Sequence, residues 1–453
     1  MKSANAEVAK ARVFVTGLGA VSCFGCGVEA FWHGCKTGAS RVDPVPENWS
    51  LYYDATSLVW SPLPEIDFAA VGFSRADRLT MSMPSLLAVA ASKEAMTQAQ
   101  ALGWLPVSGT HTHTRAGVYL GTGFGGAQAP FDNYRAHLLG GLQSRLEKLR
   151  EDFPGDLQVQ EHLSALKAHP RVNPLVICQT MPNAASATVG IHCGIKGPND
   201  TACYACASGT VAIGRAFQAI QRGELDFAIA GGVEHLNDRA GGVFMGFDRL
   251  QTLAKPHTAV GLENRPFDVE RSGFLFSEGG AAALILESEA SAKSRGVKLL
   301  AEIKGFALTS DALSMVAISE KNSSIPAMFE QVLRSADIQA GDIGYINAHG
   351  TATKLNDLVE SRLIKKHFGV KPKVNSTKSI LGHTIGASGA FEAIATVKSL
   401  EEQTVHISRN LRNPIADLNF CTETSHHDFE FALTQSFGFG GHNAGLIFSR
   451  ISE

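Results

Sequence analysis

Apolar positions along the chain fall into two kinds of run. Short stretches at 13–16, 117–120, 227–230, 282–286, 344–347 and 445–448 are apolar or small throughout, as strands covered on both faces read. Between them lie Ala-rich stretches with helical character, at 84–96, after residue 206, and at 326–335, 359–367 and 387–400. The alternation predicts a layered α/β architecture. After residue 206 the spacing of Ile213, Phe217 and Ile220 is i, i+4, i+7, and the run ends at Arg222-Gly223, a basic last turn followed by a C-cap glycine. That pattern predicts a buried helix with a defined end.

One region differs in character. Across 127–171, Leu142, Leu146 and Leu149 share one helix face while Arg145, Glu147, Lys148, Arg150 and Glu151 make the other charged. Phe153-Pro-Gly-Asp breaks this helix, and a second helical stretch follows over 157–168. The expectation is a helical hairpin inserted on the body and packed against it, with a dimerisation or partner-docking element as the functional reading. The Pro- and Gly-punctuated segment from Arg265 to Phe274 reads as a connection leading towards a second half. Each half holds a strand ending in a reactive residue and closes with a Gly-rich apolar strand, which predicts units at 1–287 and 288–453.

Composition narrows the class. The chain has 453 residues, 44% of them hydrophobic and 18% charged, enough for a large buried core. A net charge of −3 gives no global reason to bind nucleic acid or an anionic membrane. No signal peptide or membrane span is read, which points to the cytoplasm. Eight cysteines are too sparse for a disulfide scaffold. Cys23-x-x-Cys26 and Cys203-x-x-Cys206 have zinc or redox spacing, but they sit among Gly, Phe and Ala rather than in polar knuckle turns.

Cys206 stands where a small-residue stretch opens the buried helix, so backbone N–H groups aim at its sulfur; that favours a thiolate and covalent chemistry, against the alternative of an inert buried cysteine. Three Gly-flanked segments accompany it. Asn347-Ala-His349-Gly-Thr351-Ala-Thr353 follows a strand, Ser376-Thr-Lys378-Ser-Ile-Leu-Gly-His383 precedes Glu392, and Ser436-Phe-Gly-Phe439-Gly-Gly-His442 is rich in flexible backbone. Histidines held between a strand end and a glycine can donate to an incoming carbonyl, and the Gly-Phe439-Gly-Gly backbone can offer an oxyanion donor. His349, His383, Asp357 and Cys206 as zinc ligands lack any short-spaced pair on one element, so no metal is expected.

These motifs, with Val15-Thr-Gly-Leu-Gly, Gly231-Gly-Val-Glu and Arg265-Pro-Phe-Asp with Arg271-x-Gly-Phe, occur in an order that resembles the β-ketoacyl-acyl carrier protein synthases, elongating condensing enzymes of the thiolase superfamily. The likeness runs from about Val13 to Phe448. It implies a duplicated five-layer αβαβα sandwich and a homodimer. It also implies a decarboxylative Claisen condensation: Cys206 carries the acyl group, the N–H groups of Cys206 and Phe439 form the oxyanion hole, and His349 and His383 bind the malonyl thioester. Lys378 and Glu392 match a supporting pair, expected to orient His383. Phe439 matches a gate, and Thr351, Thr353 and Phe437 fall at substrate-binding positions. Phe124 matches a position that sets acyl pocket depth, and its bulk implies a short or kinked chain. No organic cofactor is implied. The partner is acyl carrier protein in acyl and malonyl forms; Arg75 and Arg78 are the docking candidates, being basic where carrier proteins are acidic. The long 127–171 region, His442 in place of a common Thr, and the extra Cys203 leave open a specialised polyketide-type ketosynthase, and a non-catalytic scaffold subunit of the same fold is a further alternative.

Overall fold

The computed structural model describes residues 10–49, 53–101, 115–166 and 172–451. Eleven strands carry the argument: β1 Val13–Ser22, β2 Ala116–Gly121, β3 Asn199–Ala202, β4 Phe227–His235, β5 Gly279–Ser288, β6 Ala301–Ser310, β7 Ile343–Asn347, β8 Lys373–Asn375, β9 Asn419–Phe420, β10 Phe431–Gly438 and β11 His442–Ser449. The first half orders them β1-β5-β4-β2-β3 and the second β6-β11-β10-β7-β8, with β9 beyond β8. Pairing senses repeat as well. In each half the first two contacts are antiparallel and the next two parallel. This shared wiring is the duplication. The halves join edge to edge where Val13–Val15 of β1 pair with Ala301–Ile303 of β6.

The longer helices include α1 Met83–Gln98, α2 Gln128–Asp152, α3 Ser208–Gln221, α4 Ile325–Ala336, α5 Lys354–Phe368 and α6 Ser388–Glu402. α3 and α6 touch each other and lie between the two sheet halves, while α1 covers β1 and β5 from outside and α4 covers β6 and β11. Helix, sheet, helix pair, sheet, helix: these are the five layers expected. Central position explains composition, since α3 and α6 are buried over nearly their whole length and are mostly apolar or small, α3 keeping only Arg215, Gln218 and Gln221 along one half-buried face. Gly19 on β1 serves the outer layer, because a Cβ there would lie 1.9 Å from the carbonyl oxygen of Ala91 on α1.

Two expectations need correction. The hairpin exists, as α2 and the helix Leu157–Leu166 pack together, with residues 167–171 outside the described part. Its leucine face is not packed on the body, however. Leu142 and Leu149 are exposed and Leu146 half-buried; with Phe131, Tyr134 and Leu138 they leave an open apolar stripe along α2. The start of the helix is tied to the body, where Gln128 bonds His235 at 2.7 Å and Asp132 accepts from the Arg239 N–H at 3.0 Å, and it also packs with Leu157–Leu166 and the short helix Val176–Thr180. The 265–274 segment, second, is a clamp. Asp268 accepts from the backbone N–H groups of Arg412 and Asn413, both at 2.8 Å, and the Phe267 N–H donates to Asp357 at 2.7 Å. The chain then returns to the first half as β5.

Candidate active site

Cys206 sits in a single 3-10 turn, Ala205–Ala207, that runs into α3, and Ala205 takes a left-handed φ of 48° to make the bend. The second half repeats the device: Ile385–Ala387 runs into α6, with Ile385 at φ 47°. Both turns are followed by Ser-Gly, and in the second Gly386 stands where the first has the cysteine. The two inner helices therefore bring their N-termini to one place, and His383 is carried there by the approach to the second turn.

His383 Nε2 lies 3.1 Å from Cys206 Sγ. The Ile385 N–H donates to His383 Nδ1 at 3.2 Å and the Ser388 hydroxyl lies 2.9 Å from the same nitrogen, so the ring proton belongs on Nε2, facing the sulfur. His349 follows β7, and its ring centroid is 5.6 Å from that of His383. Lys378 Nζ is 3.1 Å from His349 Nδ1, donates to the His349 carbonyl at 2.8 Å, and pairs with Glu392. All three ammonium protons are thereby engaged, and the His349 proton is left on Nε2. The sequence reading placed the Lys378–Glu392 pair on His383. Structure puts it on His349: the short helix Lys378–Leu381 and Gly382 carry His383 away from the lysine, so closeness in sequence misled.

Burial holds both imidazoles well below their ordinary pKa, with the Lys378 charge acting in the same direction. They are neutral donors. Burial also raises Glu392 to about 7, against the pull of Lys378. For Cys206 the expectation of a favoured thiolate is reversed: burial pushes the thiol up to about 11, although Lys378 and the Phe439 N–H favour the anion. Desolvation outweighs the helix terminus because the sulfur is only 4% exposed. Burial thus favours the neutral thiol at Cys206.

One cavity of about 200 Å³ has Cys206, His349, His383, Thr351, Thr353, Phe437 and Phe439 in its lining. Thr351 and Thr353 hydroxyls are 2.9 Å apart, and the turn that holds them is fixed by Asp357, which accepts from the Thr351 and Ala352 N–H groups at 3.1 and 3.2 Å. Glu360 accepts from the His349 and Gly350 N–H groups at 2.7 and 2.8 Å, and so fixes the backbone of the histidine. Lys378 and Glu392 stand behind the lining. Phe124 does too: it is 38% exposed and its ring is 5.8 Å from that of Phe247, which does line the cavity. Arg75 and Arg78 are exposed on the helix Arg75–Thr80 and neither lines the cavity. His442 stacks edge-on against Tyr204, centroids 5.0 Å apart, and Cys203 is exposed.

Sequence reasoning passed over Glu234. It is buried at the end of β4 and accepts from the N–H groups of Gly123, Phe124 and Gly386 at 2.7, 3.1 and 3.0 Å and from the Thr122 hydroxyl at 3.0 Å. Burial raises it to about 7 against those four donors. The signal was present, as Gly231-Gly-Val-Glu ends a fully apolar strand in an acid, and an acid there must be hydrogen-bonded.

Comparison with known proteins follows the same lines. The family models described as beta-ketoacyl synthase, N-terminal domain and C-terminal domain match residues 10–292 and 300–412. The chain is 33% identical to a 3-oxoacyl-[acyl-carrier-protein] synthase 2 of Synechocystis, covering 98% of this chain and 99% of that one. A crystal structure of a beta-ketoacyl synthase from Burkholderia phymatum is similar at TM-score 0.81 and 29% identity, over 98% of this chain and 100% of the other. A type II polyketide ketosynthase solved with its acyl-carrier protein is similar at TM-score 0.79 and 25% identity, again over 98% and 100%.

Proposed function

The chain belongs to the β-ketoacyl synthase family, and from that premise we propose that it elongates acyl chains by decarboxylative condensation with malonyl-acyl carrier protein. The observation that carries this reading is the meeting of Cys206 Sγ with His383 Nε2 at 3.1 Å in a cavity that His349 also lines. Cys206 attacks the acyl thioester; the N–H groups of Cys206 and Phe439 hold the oxyanion, and the thiol proton leaves with the carrier thiol. Malonyl carrier protein enters next. The two neutral Nε2–H groups bind its thioester oxygen, where negative charge develops as the carboxylate departs as carbon dioxide. The enolate carbon attacks the acyl-cysteine carbonyl, and collapse breaks the C–S bond, releasing a β-ketoacyl chain two carbons longer and the Cys206 thiolate, which takes a proton from water to restore the thiol. Phe439, half-buried in the cavity lining, acts as the gate.

A homodimer is part of the proposal. It is supported by the open stripe Phe131, Tyr134, Leu138, Leu142 and Leu149, which a second copy would cover. Arg75 and Arg78, both exposed, are proposed for docking the acidic carrier. The proposed boundary between the halves stays at 287/288, one residue before β5 ends at Ser288 and the helix Glu289–Arg295 begins. A polyketide-type ketosynthase is the second reading, favoured by the similarity to the polyketide ketosynthase and by the long exposed helix α2. The test is to incubate the protein with malonyl carrier protein and a series of acyl carrier proteins and weigh the products. Single two-carbon extensions support fatty-acid elongation, and multiply extended poly-β-keto products the second reading. A Cys206→Ala protein that still condenses would exclude both.

A further inference from the structure

The cavity leads inward from Cys206 onto aromatic rings. Of its lining, Met315, Val316 and Ala317 are exposed and Asp311 is half-buried, which marks the mouth where a carrier-bound substrate must enter, whereas Ile385, Phe274 and Phe247 are buried and mark the inner end. Phe247 is 5% exposed, and its ring centroid is 5.6 Å from that of Phe274, 6.0 Å from Phe276 and 5.8 Å from Phe124. Phe274 in turn stands edge-on to His383 at 5.0 Å. Beyond this layer Phe276 meets Phe244 at 5.3 Å, and Phe244 faces a second cavity that Trp49, Leu58 and Met245 also line. Two cavities are thus separated by one relay of three rings, Phe247, Phe276 and Phe244. Cys206 belongs to the same apolar cluster as all three.

Resting on the condensing reading above, we propose that Phe247 is the floor of the acyl subsite and restricts Cys206 to short acyl groups. An acyl chain on the sulfur cannot grow towards the mouth without meeting the second substrate, so it must run inward. There it meets a ring held on three sides. A longer chain would have to displace Phe247 from contacts that favour its present place. Phe124, the position singled out in the sequence, acts through Phe247: it stands behind that ring and limits how far it can swing. Truncating Phe247 removes the side chain that lines the inner end, and truncating Phe276, the next ring in the relay, as well opens the way towards Phe244 and the second cavity.

The experiment offers the protein a competing mixture of carrier proteins loaded with chains from acetyl to palmitoyl and reads the adducts on Cys206 by intact mass. The expected wild-type adducts are short. Phe247→Ala raises the ratio of long to short adducts about tenfold or more, the scale on which one misfitted methylene is discriminated. Phe247→Leu, which keeps an apolar filling, shifts the ratio in the same direction by less, and it carries the test alone if Phe247→Ala does not fold. Adding Phe276→Ala to Phe247→Ala moves the preference to longer chains still. Wild-type adducts formed as readily from palmitoyl as from acetyl carrier would overturn the floor and leave the condensing reading standing. So would a profile that changes with Phe124→Ala and stays fixed with both Phe247 variants. Absence of any adduct on Cys206 from every carrier would overturn the condensing reading, and the floor with it.

Discussion

Lys378 and His349 form one unit: the ammonium sits 3.1 Å from Nδ1 of the ring and 2.8 Å from the carbonyl of the same residue. The lysine therefore fixes both the tautomer and the backbone of a histidine it never shares with the sulfur. Replacing it by Met leaves Glu392 buried without its cation, a loss of about 3–5 kcal/mol for breaking such a pair, read as a lower Tm. Decarboxylation of malonyl carrier protein should fall by about 10²-fold or more. A pH profile separates positioning from mere stability. The Lys378 charge lowers both histidines, so its removal raises them and moves the acid limb of kcat to higher pH. An acid limb left in place would refute the role.

Cys206 is pushed up to about 11 by burial, so its thiolate fraction grows about tenfold for each pH unit across the neutral and mildly alkaline range. Alkylation of this cysteine should follow, rising without a plateau between about pH 7 and about pH 9. Peptide mapping is needed, because Cys26, Cys178 and Cys203 are exposed and will also react. A rate that levels off near neutrality would mean that the helix terminus outweighs desolvation.

Gly438 lets the β10 end lie against the nucleophile turn. An added Cβ would come to 2.5 Å from the Tyr204 carbonyl oxygen and 3.4 Å from the Cys206 nitrogen, so Gly438→Ala must push the strand away. The Phe439 N–H then withdraws from the sulfur. Acylation of Cys206 should slow by about 10²-fold, the cost of one oxyanion donor, and stopped-flow transfer from acyl carrier protein would measure it.

The stripe on α2 predicts the assembly. Leu138→Lys combined with Leu142→Lys should turn a dimer into a monomer by light scattering, because each lysine would have to be desolvated in the interface. An unchanged mass would place the interface elsewhere.

Docking predicts a salt effect. Arg75→Glu with Arg78→Glu should raise KM for carrier protein several-fold at low ionic strength, and the difference should vanish as salt is added. A KM that ignores both the charges and the salt would remove these two arginines from the carrier footprint.

Much of this could be read from the chain alone, and the residues show why. Cys206, His349 and His383 sit in Gly-rich turns at the ends of strands and helices, and such turns have few sequences that fit them. The helix from 208 was legible because its apolar spacing is long and its cap, Gly223, is in the expected left-handed form. What escaped was decided by tertiary neighbours. The reversed Cys206 shift depends on how much water the whole fold removes from the sulfur. The partner of Lys378 depends on which way one short helix turns its end. Phe124 and Phe247 are far apart in sequence, and only packing shows which of the two rings faces the cavity.

The duplicated turn at Gly386 has a consequence for how many acyl groups one chain can bear. A side chain there would have to begin 2.3 Å from the Gly123 nitrogen and 2.6 Å from a Glu234 oxygen, so the copy of the nucleophile's seat is filled by the first half's own backbone and carboxylate. The fold holds two matching pedestals, and with one of them locked shut by this tether, a synthase working as proposed has a single hook for cargo.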